Sequence, residues 1–571
     1  MNNLLRSFTD TAKRVYNRKI KNNKKTIILY VFLLFVVIFT WALRLQNTQE
    51  HAQGSSPLPF TSFYLTSDQI SQQTILHDWE NGLGERAITG DDSFIVKWPI
   101  YYLTNNLPVS PVARQFLTSL LILSITAAGL MAILILFVHR IFKDKKHRLF
   151  GTLAIAGLLI AVPAVTFEYM AWPNSRNIEL VMYLGLIYSL YISDFNLEWF
   201  RHRTLLKVSG IVGVAALLFV DDPLFMYLSV PLLIGLIAFR YTMGVDNIGE
   251  KTILLSVVAA LSFLGMYALR GILTFITPLA IYTHRPAAFD SILFVNNIKN
   301  FFIDGLKIVG VNFDVSTLSK TGLVFSALSL ALFICAVIGI IAQIRKHPRS
   351  IFYQFLLLSV LWNAVLIGFM GDRITGDFAS SRYNIAIYVI ELIGIILLIK
   401  SIRLKRQYVL LATGLSLMVV LSCLFIYQAH KISDTERYSL NRQNQDQIIN
   451  AIDQLGLKKG YSNNNYGNIM TFLSDYKTTY LPSVCMINAD GTAKLKYFDI
   501  LTEIGVKNKL SVDRSFYMYV ESDNKCTGEN LIPQLGSPID TKTLTLKNGV
   551  VANIFIYNYD ISKNIPVQAI E

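Results

Sequence analysis

Charged residues are scarce in this chain of 571 amino acids: they make up 16% of the sequence, whereas 53% of the residues are hydrophobic. This balance excludes a disordered chain and a row of soluble domains, and it is typical of a protein that crosses a membrane many times. Cysteine is also rare, with four residues in the whole chain, which excludes a small disulfide-stabilised secreted fold. There is no internal repeat and no glycine-rich nucleotide-binding loop, so ATP hydrolysis by this chain is not expected.

The net charge of +14 would favour a nucleic-acid partner in a soluble protein. Here, however, Lys and Arg cluster in short segments between apolar runs, which is how a membrane protein sets its orientation. The first 25 residues are basic and lead directly into an apolar segment. We therefore expect no nucleic acid, and we predict an uncleaved membrane anchor with the N-terminus in the cytoplasm.

Apolar segments of about 16 to 24 residues, close to the length that spans a bilayer, recur along the chain. They are 26–43, 115–138, 150–167, 178–194, 204–220, 223–239, 252–276, 321–343, 351–370, 385–400 and 408–428. Basic connections fall between alternate segments, so they assign every second connection to the cytoplasm. The prediction is an all-α polytopic domain of about eleven transmembrane helices in the plasma (inner) membrane.

Three parts follow from this topology. Residues 1–25 form a cytoplasmic basic N-terminus, and residues 26–428 form the transmembrane domain, which includes an external loop at 45–112. Residues 429–571 are polar and Asn-rich, and the odd number of spans places them outside the cytoplasm. We expect a small extracytoplasmic α/β domain there.

Local patterns support that α/β domain. An amphipathic helix is predicted at Asn441–Leu455, and strands are predicted at Thr479–Val484, Ser515–Val520 and Val550–Tyr557. Cys485 and Cys526 both lie in this part. An oxidising compartment permits a disulfide between them, and two free thiols remain the alternative.

The external loop at 45–112 is long enough to be functional rather than a simple connection. Ile70, Ile75 and Leu76 predict a helix from Asp68 to Trp79 that lies in the membrane interface. Ser67 or Asp68 would cap this helix, so capping is one role for the Asp68 carboxylate.

The order of residues in this loop resembles that of the GT-C superfamily of polytopic glycosyltransferases. The likeness rests on Ser67-Asp68-Gln69, Trp79, Gly82 and Lys97-Trp98-Pro99-Ile100-Tyr101, which follow a single span and precede the second, and on Gly460-Tyr461 and Tyr466-Gly467 in the last part. The resemblance implies a GT-C-like fold and transfer of sugar from a polyprenyl-phosphate-linked donor to a glycan, lipid or protein of the envelope. It implies that Asp68 is the catalytic base. The usual acidic pair is replaced by Asp68-Gln69.

Within this interpretation, cations on the external side would bind the donor phosphate, because arginine donates paired hydrogen bonds to phosphate and stays charged. The candidates for substrate binding are Lys97, Arg176, His284, Arg382 and Tyr383. The alternative for each arginine is contact with lipid headgroups or an ion pair with a neighbour such as Glu179.

Two adjacent carboxylates, Asp221 and Asp222, lie in a short turn just before Pro223. They are further catalytic candidates, and together they could bind Mg²⁺ or Mn²⁺ through oxygen ligands. Their position at the end of a span predicts that they reach water. The alternative role is to form the turn and start the next helix.

Two other classes of function remain open. The chain could be a multi-span transporter or flippase of lipid-linked glycans, or a non-catalytic assembly protein of the envelope. A transporter needs ionisable groups at depth in the membrane, and Glu391 is the main deeply placed charge in the predicted spans. That scarcity favours the enzyme.

Overall fold

The computed structural model describes most of the predicted membrane domain and most of the region after it. The described residues are 24–46, 67–85, 87–89, 95–172, 175–195, 204–242, 250–277, 279–281, 290–303, 305–313, 320–369, 384–402, 405–431, 435–463, 466–487, 493–497, 504–520, 526–527, 529–547 and 549–567. The side chains of four predicted site residues, Asp68, His284, Arg382 and Tyr383, lie outside this description.

Helices dominate the first three quarters of the chain. They are α1 Lys24–Gln46, α2 Ser67–Glu80, α3 Trp98–Asn105, α4 Pro111–Ile141, α5 Lys145–Ile160, α6 Ala164–Ala171, α7 Ile178–Phe195, α8 Thr204–Asp221, α9 Pro223–Thr242, α10 Glu250–Ile276, α11 Ser291–Ile303, α12 Lys320–Lys346, α13 Ile351–Gly368, α14 Ile385–Ser401 and α15 Lys405–Lys431. There are also two short strands, β1 Ala87–Thr89 between α2 and α3 and β2 Leu279–Ile281 after α10. They pair with each other in parallel.

Nine of the eleven predicted apolar segments lie within one of these helices, and a tenth, 351–370, begins with α13 and extends past its end at Gly368. The eleventh, 150–167, is divided between α5 and α6, which meet at an angle of 82°. Seven of the described helices are long and apolar enough to cross a membrane, and the bent pair would make eight. The helical membrane fold is therefore confirmed.

The centre of the bundle is α14, whose side chains are buried on almost every side. It packs closely on α12 because two glycines face each other. A Cβ at Gly339 would lie 2.5 Å from the carbonyl oxygen of Gly394, and a Cβ at Gly394 would lie 2.7 Å from the carbonyl oxygen of Ala336. Small residues of this kind let two helix backbones approach within a membrane.

We expect Gly394→Val to lower the free energy of unfolding by about 1–3 kcal/mol, because the added methyl groups would push α14 away from α12. Thermal unfolding in detergent measures the change. Gly414→Val in α15 is the matched control, since a Cβ there meets no atom within 4 Å. Equal melting temperatures for the two variants would contradict this account of the packing.

A mixed sheet follows the last membrane helix. After α16 Thr435–Gln454, the elements are β3 Lys459–Asn463, α17 Gly467–Leu473, β4 Thr479–Ile487, β5 Ala493–Tyr497, α18 Ile504–Lys509, β6 Ser515–Val520, α19 Ile532–Leu535, β7 Asp540–Thr545 and β8 Val551–Tyr557. The strand order is β5-β4-β3-β6-β8-β7. β3 lies parallel to both of its neighbours, and the outer pairings are antiparallel. The predicted small α/β region is confirmed.

Cys485 on β4 and Cys526 after β6 form a disulfide, with their Cα atoms 5.8 Å apart. Of the two possibilities left open by the sequence, the structure contains the bonded one. Cys335 and Cys423 are free and lie in α12 and α15.

Candidate active site

Five charged side chains from three separate connections meet at the end of the helix bundle that carries the sheet. Lys97 precedes α3, Arg176 and Glu179 lie just before and within the first turn of α7, and Asp221 ends α8 while Asp222 connects it to α9. All five are buried, with at most 5% of any residue exposed. A buried charge is costly unless it is paired, so the contacts within this group determine what it can do.

Arg176 and Asp222 form the first pair. The guanidinium Nε lies 2.5 Å from Oδ2 of Asp222, and Nη2 donates to Oδ1 over 3.3 Å. Asp222 Oδ1 also accepts a hydrogen bond from the backbone N–H of Leu224, at 3.1 Å, and so caps the start of α9. Burial raises the pKa of Asp222 to about 6, against the opposing effect of the Arg176 guanidinium.

Lys97 and Glu179 form the second pair, with Nζ 3.3 Å from Oε2 and both side chains fully buried. The ammonium also donates to the carbonyl oxygen of Ser175, and Glu179 Oε2 accepts from the backbone N–H of Asn177 at 3.0 Å. Trp98-Pro99 begins α3 directly after Lys97, since proline is favoured in the first turn of a helix. The helix start fixes the backbone from which Lys97 reaches inward.

Asp221 lies beside the two pairs. Its Oδ1 accepts a hydrogen bond from the backbone N–H of Ile95 at 2.7 Å. Burial and the nearby Glu179 carboxyl raise the pKa of Asp221, and the Lys97 ammonium opposes that shift.

Four of the predicted site residues are therefore brought together: Lys97, Arg176, Asp221 and Asp222. The expectation that the two aspartates reach water is wrong, because they are 5% and 0% exposed. They are tolerated inside because Asp222 is paired with the Arg176 guanidinium and each aspartate accepts a hydrogen bond from a backbone N–H group. Arg176 does have an acidic partner, as the alternative interpretation held, but that partner is Asp222.

Glu179 has a larger part in the site than the sequence indicates. Its partner Lys97 lies 82 positions earlier in the chain, and no local spacing links them. The available signal was that Lys97 lies in the predicted external loop and Glu179 at the external end of a predicted span, which allows contact but does not select a pair.

The first-loop helix α2 lies beside this group. The ring of Trp79 in α2 meets that of Trp98 edge to face, with 5.5 Å between centroids. Ile75 and Leu76 pack with Ile100 and Tyr101 of α3. Asp68 lies in the first turn of α2, as the predicted helix from Asp68 to Trp79 required. α2 is thus packed against the element that carries Lys97.

The described residues contain no group of three His, Cys, Asp or Glu side chains arranged to hold a metal ion. Asp221 and Asp222 provide oxygen ligands of the kind that Mg²⁺ and Mn²⁺ prefer. In this structure, however, Asp222 is paired with Arg176, and Asp221 accepts a hydrogen bond from the backbone N–H of Ile95. A metal at this pair would have to displace those contacts, so the group does not fit a preformed metal site.

The chain thus combines many apolar helices, a buried charged group formed by their connections and a small mixed sheet after the last membrane helix. The fold is shared over nearly the whole chain with a solved bacterial protein. The crystal structure of ArnT from Cupriavidus metallidurans in the apo state has a TM-score of 0.52 and 10% sequence identity, covering 96% of this chain and 100% of that one.

A second structure of ArnT from the same organism, bound to undecaprenyl phosphate, has a TM-score of 0.50 and 11% identity and covers 95% of this chain and 99% of that one. At such low identity the likeness establishes the fold. No protein-family profile and no curated protein sequence matches the chain.

Proposed function

We propose that this protein is an integral-membrane glycosyltransferase. It would move a sugar from a polyprenyl-phosphate-linked donor to a hydroxyl group of an envelope glycan, lipid or protein. The reaction would take place at the bundle end that carries the sheet, which the loop charges predict to be extracytoplasmic. The membrane bilayer and the lipid-linked donor are the partners that this function requires.

The observation that carries the proposal is the buried group of Lys97, Arg176, Glu179, Asp221 and Asp222, formed by three loops within a GT-C fold. The solved ArnT bound to undecaprenyl phosphate supports a lipid phosphate as the ligand of this fold. Two cations in a site of low dielectric constant are what a departing phosphate needs. Both are held in place by carboxylates before any substrate arrives.

The chemistry assigns a role to each type of residue. The acceptor oxygen attacks the anomeric carbon of the sugar, and the bond from that carbon to the phosphate oxygen breaks through an oxocarbenium-like state. The acceptor proton passes to a carboxylate, for which we propose Asp68. Lys97 and Arg176 would stabilise the negative charge on the departing polyprenyl phosphate, and His284, Arg382 and Tyr383 remain candidates for the same task.

A transporter or flippase would place working charges along its spans. Glu391 in α14 is buried, but the charged group described above lies at the helix ends, where transfer to an external acceptor can occur. This location favours the enzyme over the transporter.

The test uses the full chain in lipid nanodiscs, supplied with a panel of radiolabelled sugars on undecaprenyl phosphate and with hydroxyl-bearing envelope glycans and lipids. We expect label to appear in the acceptor and undecaprenyl phosphate to be released. EDTA, with and without added Mg²⁺ or Mn²⁺, tests the metal prediction in the same assay. Movement of the labelled lipid across proteoliposome membranes without transfer of the sugar would overturn the proposal in favour of a flippase.

A further inference from the structure

The sheet region contacts the first external loop at two separate places. In the first, α17 and the turn after it lie against α2. In the second, α18 lies against residues 83–85, which directly follow α2. The sheet region therefore holds α2 and residues 83–85, the loop segment beside the proposed site, on the side away from that site.

The first contact is formed by an unusual turn. Asp475 and Tyr476 are the described non-glycine residues with positive φ, at 55° and 59°, a left-handed conformation that such residues adopt rarely and that must be held by surrounding contacts. The ring of Tyr476 stacks on that of His77 in α2, with centroids 3.5 Å apart and planes within 4°. Asp475 Oδ1 lies 3.3 Å from Nη2 of Arg114 at the start of α4.

The second contact is a close backbone approach. The carbonyl oxygen of Leu83 occupies the space that a Cβ at Gly505 would need. Asn508 donates to both carboxylate oxygens of Glu85, at 3.0 and 3.1 Å, and Lys509 Nζ donates to the carbonyl oxygen of Gly84 at 2.6 Å. The end of α2 is thereby fixed relative to the sheet.

The opposite face of α2 leads to the segment that carries Lys97. Ile75 packs with Ile100 and Tyr101 of α3, and Trp79 meets Trp98, the residue next to Lys97. α2 is therefore packed between the Asp475–Tyr476 turn on one side and the Lys97-bearing segment on the other. Any shift of the turn would be passed through α2 to the segment that carries Lys97.

We propose that Tyr476 is a positioning residue for the active site: its left-handed turn holds α2, and through α2 the Lys97 segment, in the geometry that transfer requires. This inference rests on the proposed function. The turn stores an unfavourable backbone conformation next to the loop, as is found at sites where geometry matters more than local stability. The sheet region is then part of the catalytic assembly rather than an appended domain.

The test compares Tyr476→Ala with Tyr476→Phe, which keeps the stacking ring, and with Tyr519→Ala, which removes a ring stacked on Phe555 inside the sheet. We expect Tyr476→Ala to lower kcat for sugar transfer by about 10- to 100-fold, as loss of alignment does, while KM for the undecaprenyl-phosphate sugar changes little. Tyr476→Phe should restore kcat. Gly505→Val disturbs the second contact and should also lower kcat.

Hydrogen exchange of residues 71–85 gives a readout that needs no turnover. Tyr476→Ala should raise exchange there and Tyr519→Ala should not. If the wild type transfers no sugar but exchange of residues 71–85 rises in Tyr476→Ala, the proposed function fails, whereas the role of Tyr476 in fixing α2 stands. Unchanged exchange in Tyr476→Ala, or raised exchange with an unchanged kcat, would overturn the positioning role.

Discussion

Replacing Asp68 by Asn should lower the rate of sugar transfer by about 10²- to 10⁴-fold, the contribution of a general base. The amide has nearly the shape of the carboxylate but cannot accept the proton of the acceptor hydroxyl. Binding of the lipid donor should change little, because the cations proposed for the phosphate are untouched. The measurement is kcat and KM with labelled sugar on undecaprenyl phosphate.

This substitution also separates catalysis from helix capping. Asp68 lies in the first turn of α2, and Asn caps a helix as well as Asp does, so a capping role predicts no loss of activity or stability. Glu80→Gln, at the exposed end of the same helix, is the matched control for removing one acid from α2. Wild-type turnover in Asp68→Asn would remove the base from the proposed mechanism.

The residues of the charged group could be selected from the sequence, but their pairing could not. Arg176, Asp221 and Asp222 are charged residues next to the ends of predicted spans, whereas Lys97 belongs to the segment of the first external loop that resembles GT-C enzymes. Neither criterion says which acid meets which base. Only the packing of α3, α7 and α8 pairs Lys97 with Glu179 and Arg176 with Asp222 and buries them.

The spans themselves could be predicted because each needs only a local property, an apolar run of sufficient length. The break between α5 and α6 could not be predicted in this way, since hydropathy continues across it. In the sheet region, the predicted strands at Thr479–Val484, Ser515–Val520 and Val550–Tyr557 correspond to β4, β6 and β8. The stacking of Tyr476 on His77 joins residues about 400 positions apart, and no local sequence pattern predicts such a contact.

Substitutions in the Arg176–Asp222 pair should have the second large effect. The pair is a buried ion pair that supports the fold, and Arg176 is also proposed to bind the donor phosphate. Arg176→Met alone would leave a buried, uncompensated carboxylate, and we expect it to lower the free energy of unfolding by about 3–5 kcal/mol. Asp222→Asn alone would leave the buried guanidinium without its acid and should also destabilise. Asn at position 222 keeps the cap on α9, so the loss reports the charge rather than the helix start.

Combining Arg176→Met with Asp222→Asn removes both charges and should restore most of the stability, since a buried ion pair adds little beyond a neutral replacement of similar size. If Arg176 binds the donor phosphate, the double variant should nevertheless remain at least about tenfold weaker in binding undecaprenyl phosphate, the loss expected for one charge-assisted contact. Melting temperature and lipid binding are measured on the same nanodisc samples. A double variant with wild-type stability and wild-type lipid affinity would show that the pair only supports the fold, and the phosphate would then have to be assigned to Lys97 and the remaining cations.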